Sequence, residues 1–296
     1  MKVTNKHNVP ETLVSLARTD YYSKGGADYS VTEIISPPRI QRLRAKHWDD
    51  MEQDVSDMLW QLLGSALHVV AERGNHPDYI TEERLNAEID GVRLSGAIDI
   101  QRVTPEGILI TDYKFTSAWA LRQDKPDWEA QQNIYAWLVN KAKGKQVIGV
   151  QICALIRDWS RREASVKPDY PQAPIQVIDL PLWPLHKTEH YIRDRLELHR
   201  TSKVAADWEE DLPQCTDEER WLRGASFAVM KTGKKRAIRV CETKEEANQI
   251  MGTLQVEDKP YIEERPGEAV RCVNDFCGVA KWCSQYQKEL KNDREL

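Results

Sequence analysis

The chain has 296 residues, with 42 Lys and Arg against 47 Asp and Glu, for a formal net charge of −5. This balance excludes a globally basic surface, so a polyanionic partner would have to meet a local patch. A hydrophobic share of 41% is enough for one large core or two modest ones and excludes a low-complexity chain. No apolar run reaches the length of a membrane span, and residues 1–10 are polar rather than leader-like. The expectation is a cytoplasmic protein with no membrane partner, whose six cysteines are reduced rather than paired.

In chain order, residues 1–30 read as a peripheral segment, 31–204 as the core, and 205–296 as a C-terminal region packing on that core. Residues 50–73 read as a helix, with Met51, Val55, Met58, Leu59, Leu62, Ala66, Leu67 and Val70 near one side. Gly64, His68 and Glu72 stand near its end. His68 and Glu72 are one turn apart, and a neutral imidazole can complete a carboxylate-rich metal site. Alone, the pair reads more readily as a core histidine bonded to an acid.

Two strands follow, residues 98–103 and 108–114, around the turn Thr104-Pro105-Glu106-Gly107. If Thr104 faces Gly107, paired residue numbers sum to 211 and Asp99 lies opposite Asp112. Opposed carboxylates repel and cannot both ionise cheaply, a conflict that a bound cation removes. Asp112 and Lys114 share one strand face with apolar Ile108 and Ile110, so charge ends a buried stripe.

Residues 126–143 read as a second helix. Ala130, Ile134, Trp137 and Leu138 form its stripe, and Gln131 and Tyr135 stand one turn apart beside it. A strand at 146–155, a charged loop at 157–174 that could lie near substrate, a strand at 175–182 and a helix at 185–201 come next. An acidic stretch at 205–216, a hairpin at 225–241 and a helix at 243–254 complete the pattern. This alternation predicts a mixed α/β core around a central sheet. Two basic clusters could meet a polyanion: Arg39, Arg42, Arg44, Lys46 and His47, then Lys231, Lys234, Lys235, Arg236 and Arg239.

Cys272, Cys277 and Cys283 crowd the C-terminus, and thiolates that close suggest a soft-metal site, either structural Zn²⁺ or an iron–sulfur cluster. Cys215, in a loop, is the choice for a fourth ligand. Cys153 and Cys241 fall on strand-like runs and read as buried small residues.

Taken together, Gly64 with His68, Gly96 with Asp99, Asp112 with Lys114, and Gln131 with Tyr135 resemble the PD-(D/E)XK nuclease superfamily in its RecB-like branch. That branch includes the RecB and AddB nuclease domains, the nucleases of CRISPR adaptation and phage recombination exonucleases. The resemblance implies a restriction-endonuclease-like fold with a metal-stapled C-terminal cysteine region. It implies that His68, Asp99, Asp112 and the Tyr113 carbonyl ligate Mg²⁺ or Mn²⁺, and that Lys114 orients and helps deprotonate the attacking water. Gln131 and Tyr135 would contact DNA or support the site. Glu83 sits where some relatives place another acid, and Glu72 is a further acid beside His68.

For the cysteines, the resemblance implies a [4Fe–4S] cluster on Cys215, Cys272, Cys277 and Cys283. Several relatives place the distant cysteine before the nuclease motifs, whereas no cysteine here precedes Cys153, and structural Zn²⁺ stays as the alternative. The activity implied is a metal-dependent deoxyribonuclease. It is read as an exonuclease on single-stranded DNA or DNA ends, in phage-type recombination, replication or repair, alongside a partner protein and in the host cytoplasm if phage-encoded. A nicking or structure-specific endonuclease, and a catalytically silent DNA-binding or assembly module, are the competing readings.

Overall fold

The protein is described from a computed structural model that covers residues 1–19, 23–71, 73–74, 76–205, 211–255, 259–274 and 276–295. The chain begins with β1 (Lys2–Thr4), α1 (Glu11–Thr19), β2 (Tyr29–Ser30), α2 (Val31–Ile35), α3 (Pro38–Lys46) and β3 (Glu52–Asp54). It continues through α4 (Leu59–Ala71), β4 (Tyr79–Ile89), β5 (Val92–Val103), β6 (Ile108–Thr116), α5 (Pro126–Lys143) and β7 (Val147–Ile156). Next come α6 (Arg161–Val166), β8 (Ile175–Leu180), α7 (Leu185–Val204), α8 (Asp217–Arg220) and β9 (Leu222–Arg223). The last elements are β10 (Ser226–Lys231), β11 (Arg239–Cys241), α9 (Lys244–Gly252), β12 (Pro260–Arg265), β13 (Glu268–Ala269), α10 (Val270–Val273) and α11 (Ser284–Glu295).

Contacts divide the chain into two units, Met1–Ser36 with Trp48–Lys203, and Pro37–His47 with Val204–Leu296. The first unit carries a six-stranded mixed sheet in the order β2-β5-β6-β7-β8, with β4 added beside β5. The β2–β5 and β6–β7 pairs are parallel, and β4–β5, β5–β6 and β7–β8 are antiparallel. The architecture is the mixed α/β core with a central sheet and flanking helices that the sequence predicts.

Two tight turns set its register. Asp90 and Gly91 have φ of 51° and 74°, the left-handed pair that matches a two-residue hairpin to strand twist. The pairs on β4 and β5 therefore run from Ile89↔Val92 to Tyr79↔Arg102. At the second turn Thr104 N–H donates to Gly107 O at 2.9 Å, and β5 pairs with β6 from Val103↔Ile108 to Ile100↔Thr111. Gly107 has φ of 151°, and a Cβ there would stand 2.7 Å from the Gln146 carbonyl oxygen, so only glycine closes this turn without strain.

α5 starts on Pro126 at its first turn, where the missing N–H costs nothing, and ends on left-handed Gly144. Every residue from Ala130 to Val139 is buried, so the helix is enclosed on all sides rather than amphipathic. Its Ile134, Trp137 and Leu138 share one core with Ile98 of β5 and Ile110 of β6. Large side chains enclosed this way contribute about 3–5 kcal/mol each when truncated to alanine. Asn133 is bonded where it enters the core, donating to Pro181 O at 2.9 Å and accepting from Trp183 N–H at 2.7 Å, whereas the buried Gln132 amide has no hydrogen-bond partner among the described residues.

The N-terminal segment is more ordered than the sequence suggested. β1 pairs in parallel with β3, and Val14 and Ala17 of α1 join Val55, Met58 and Leu62 in a small second core. The helix expected over 50–73 is accordingly interrupted. Glu52–Asp54 is a strand, Val55–Met58 a 3-10 turn, and the α-helix begins at Leu59. Asp54 makes the break, accepting from Lys6 N–H at 2.7 Å, Thr4 Oγ1 at 2.9 Å and Ser56 N–H at 3.1 Å.

The second unit is smaller. β10 runs between β11 and β12 in a three-stranded antiparallel sheet, with Val229, Cys241 and Ala247 as its buried centre. The charged loop after β7, in the first unit, contains the short helix α6.

Candidate active site

The two hairpins bring three carboxylates together. The β5–β6 ladder ends at Ile100↔Thr111, one step short of Asp99 and Asp112, and the β4–β5 ladder skips the step between Thr81↔Ile100 and Glu83↔Ile98, where Glu82 and Asp99 stand. Glu82 takes φ of 51°, a left-handed conformation that costs an ordinary residue on the order of 1 kcal/mol and interrupts the β4 ladder at that point. From α4, His68 Nδ1 reaches Glu82 Oε1 at 2.8 Å and Asp99 Oδ1 at 3.5 Å. Donor atoms of His68, Glu82 and Asp99 all lie within 4.8 Å of one another.

Asp112 and Lys114 form the other half. Lys114 Nζ lies 2.7 Å from Asp112 Oδ2 and donates to Gln131 Oε1 at 3.0 Å. Gln131 Nε2 donates to Asp112 Oδ1 at 3.3 Å and to the Tyr135 hydroxyl at 2.9 Å. One neutral amide from α5 thus holds the acid, the lysine and the tyrosine. The two halves meet at Tyr113, whose N–H donates to Asp99 Oδ2 at 2.7 Å.

Gly96 explains how α5 comes close enough. A Cβ there would stand 2.6 Å from Tyr135 Cε1 and 2.9 Å from Leu138 Cδ1. Overpacking of that kind costs about 1–3 kcal/mol and would push the helix that carries Gln131 off the sheet. Gly64 has no such role, since a Cβ there would meet nothing within 4 Å.

The electrostatics are those of a site waiting for a cation. Asp99 is 5% exposed, and burial, with the Asp112 charge behind it, pushes its carboxyl up to about 7. Its hydrogen bond to Glu82, with the charge of Asp99 beside it, raises the His68 imidazole above its ordinary value. Asp112 Oδ2 is fully buried and receives no well-directed hydrogen bond, although the Lys114 ammonium stands beside it. Carboxylate oxygens with one imidazole are the donor set that a hard divalent ion takes, so the residues fit Mg²⁺ or Mn²⁺.

The residues expected from sequence divide as follows. Asp99, Asp112, Lys114, Gln131, Tyr135 and His68 come together through the bonds above. Asp112 stands outside the three-residue donor group, in which Glu82 appears instead. Glu83 turns away from the site. It accepts from Lys143 Nζ at 2.5 Å and from Gln101 Nε2 at 2.7 Å, so the further acid at the site is its neighbour Glu82. Glu72 lies outside the described residues. Sequence reasoning missed Glu82, although the Asp90-Gly91 turn carried the signal: a hairpin closing there pairs numbers that sum to 181, and the partner of Asp99 is then Glu82.

In the second unit, Cys215, Cys272, Cys277 and Cys283 line one cavity with Arg39, Arg220 and Arg271. Arg39 is 2% exposed and fixes the cavity wall by donating to Leu212 O at 2.7 Å and Pro213 O at 3.2 Å. Burial, helped by Glu219 and the neighbouring thiols, pushes Cys215 up to about 12. Burial and the two facing thiols likewise push Cys272 up to about 11. The Nε atoms of Arg220 and Arg271 are buried donors with no acceptor. Orphan donors beside buried thiols fit an anionic metal–thiolate group.

Fold and site together define a nuclease class. The PD-(D/E)XK nuclease superfamily model matches residues 27–284, and the chain belongs to that superfamily. It is therefore a hydrolytic nuclease, a class for which DNA is the substrate and Mg²⁺ or Mn²⁺ the usual metal. Among solved structures the chain is similar to SSO0001, with 16% identity, a TM-score of 0.41, and 64% of this chain and 85% of that one covered. It is also similar to a protein from Eubacterium rectale named as a candidate exonuclease, with 12% identity, a TM-score of 0.31, and 49% and 55% of the two chains covered. No curated protein matches the chain.

Proposed function

We propose that the chain is a Mg²⁺- or Mn²⁺-dependent deoxyribonuclease of the RecB-like branch, an exonuclease acting on DNA ends in phage-type recombination, replication or repair. The observation that carries this reading is the linked set in which Tyr113 N–H holds Asp99 at 2.7 Å and its neighbour Asp112 is paired with Lys114 at 2.7 Å. His68, Glu82, Asp99 and Asp112 would hold the metal, with the Tyr113 carbonyl as a further oxygen. When bound, the ion supplies Lewis-acid stabilisation of the phosphate and lowers the pKa of a ligated water.

The protein supplies the rest. Lys114, held by Gln131 Oε1 at 3.0 Å, can orient the attacking water and take part in its deprotonation. Gln131 keeps Asp112 and Lys114 in register with α5, and Tyr135 braces Gln131 from the next turn. A neutral amide in that role leaves the charge available for substrate.

The same reading gives the cysteine cavity a [4Fe–4S] cluster on Cys215, Cys272, Cys277 and Cys283, with Zn²⁺ as the alternative. No described helix is long and apolar enough to cross a membrane. A cytoplasmic enzyme working beside a recombination or replication protein is the setting we propose.

Cleavage of end-labelled linear DNA and of a covalently closed circle, with Mg²⁺ or Mn²⁺ and with wild type beside Asp112→Ala, tests the proposal. Loss of linear DNA alone, abolished in the variant, is the expected result. Cutting of the circle as well would make the enzyme an endonuclease. No cleavage of either, with metal bound, would leave a DNA-binding or assembly module.

A further inference from the structure

We infer that Trp60 and Arg157 form a stacking platform that selects single-stranded DNA beside the acid–lysine site. The inference rests on the nuclease reading and names the strand form that the site takes.

The Arg157 guanidinium carbon lies 4.7 Å from the centroid of the Trp60 ring, and both side chains are open to solvent. Trp60 is 44% exposed, which a ring engaged in the core would not be. Chain connectivity ties the pair to the site from two directions. On α4, Trp60 precedes His68 by eight residues, a rise of about 12 Å. On the sheet, Lys114 pairs with Ala154 and Thr116 with Ile156, and Arg157 N–H donates to Thr116 O at 2.9 Å. Arg157 thus stands three residues past the partner of Lys114, about 10 Å along the strand direction. A second open ring, Trp119 at 54% exposure, follows Ala118, whose N–H donates to Asp158 Oδ1 at 2.7 Å.

Charge around the platform is unbalanced in one direction. Glu163 is paired with Lys167 and Asp169 with Arg122, while Asp158, which accepts from the neutral Ala118 N–H, is the one of these acids set against the arginines. Arg157, Arg161 and Arg162 are exposed and make no ion pair among the described residues. In a chain of net charge −5, a local surplus of arginine beside open indole rings is the combination that polyanions with free aromatic faces recognise. A duplex hides its base faces in the stack. A single strand offers them, and a guanidinium lying over an indole presents two flat surfaces on which a base can lie.

The test is binding without turnover. A labelled oligothymidine and a blunt duplex of equal length are titrated with full-length protein at fixed salt, with Ca²⁺ replacing Mg²⁺, and Kd is read by fluorescence anisotropy. Trp60→Ala should weaken binding of the single strand about tenfold, Arg157→Ala about threefold, and neither should change duplex binding. Trp60→Phe, which keeps an aromatic face, should bind within about twofold of wild type, and thermal melting of each variant checks that it is folded. An unchanged Kd for Trp60→Ala overturns the platform, as does an equal loss on strand and duplex, or no measurable binding by wild type. Because no cleavage is read, an inactive wild type would sink the nuclease reading while a selective loss in Trp60→Ala still supported the platform.

Discussion

The acid–lysine site and the cysteine cavity are built on opposite plans. In the first, the protein supplies the partners: Gln131 holds Asp112 and Lys114, and the Tyr113 N–H holds Asp99. In the second, burial pushes the Cys215 and Cys272 thiols up, and two buried arginine Nε donors have no acceptor among the described residues. On the proposed reading, a metal completes the first region chemically and the second structurally. A polypeptide ladder can preposition carboxylates at modest cost, but cysteines drawn from separate loops and the short helix α10 would need the ligand itself to draw them in.

The largest expected effect lies on the cavity side. Cys283→Ser should reduce the metal or iron content of the purified protein to background, with loss of any brown colour, and should lower solubility and the melting temperature. Metal-linked folding energy in small sites is on the order of 10 kcal/mol, so elemental analysis and a thermal melt would see it. Unchanged metal content would dissolve the contrast between the two regions.

Lys114→Ala comes next. Cleavage should fall by about 10²- to 10⁴-fold, the range for a positioned proton-transfer group, while the variant stays folded and melts lower than wild type because a buried acid has lost its counter-charge. The substitution leaves Asp112 buried without its ammonium but still bonded to Gln131. Near-normal turnover would remove the lysine from the chemistry.

The smallest effect is on stability and carries an opposite sign. Asp99→Asn removes a charge from a buried site near Asp112, so the metal-free variant should melt higher than metal-free wild type at pH 8, by about 1 kcal/mol. Linkage gives the same sign. A carboxyl at about 7 in the folded chain and about 4 unfolded loses folding stability as pH rises between those values, and the amide does not. Addition of Mn²⁺ should stabilise wild type and not the variant. Equal metal stabilisation of both proteins would show that Asp99 is not a ligand.

Much of the site was legible because hairpins are arithmetic. The Thr104–Gly107 turn gave a sum that the observed pairs from Val103↔Ile108 to Ile100↔Thr111 follow, and the ladder ends one step short of Asp99 and Asp112. The same arithmetic at Asp90-Gly91 leads to Glu82, yet the family resemblance had pointed to its neighbour Glu83. A left-handed φ at a glutamate is not written in local propensity, because surrounding structure imposes it. The break in the helix at 50–73 was illegible for a related reason. Met51, Val55 and Met58 keep helical spacing, but Glu52–Asp54 pairs with a strand some fifty residues upstream, a contact that periodicity cannot register. The enclosure of α5 was hidden too, since Gln131, Gln132 and Asn133 look like a solvated face until the sheet and the loop at Pro181 close over them.

That enclosure has a consequence for the order in which the site can come apart. Backbone amides from Ala130 to Val139 are sealed beneath the sheet, so they would exchange with solvent only through opening of the whole unit. α4 is the reverse case, with Leu62 its one buried residue and Leu59, Trp60, Leu63, Val69 and Val70 open to water. Gln131, which holds the lysine and its acid, therefore rides on an enclosed helix, and the histidine on an exposed one. Cation exchange at this centre would follow the breathing of a single surface helix, without disturbing the groups that hold the attacking water.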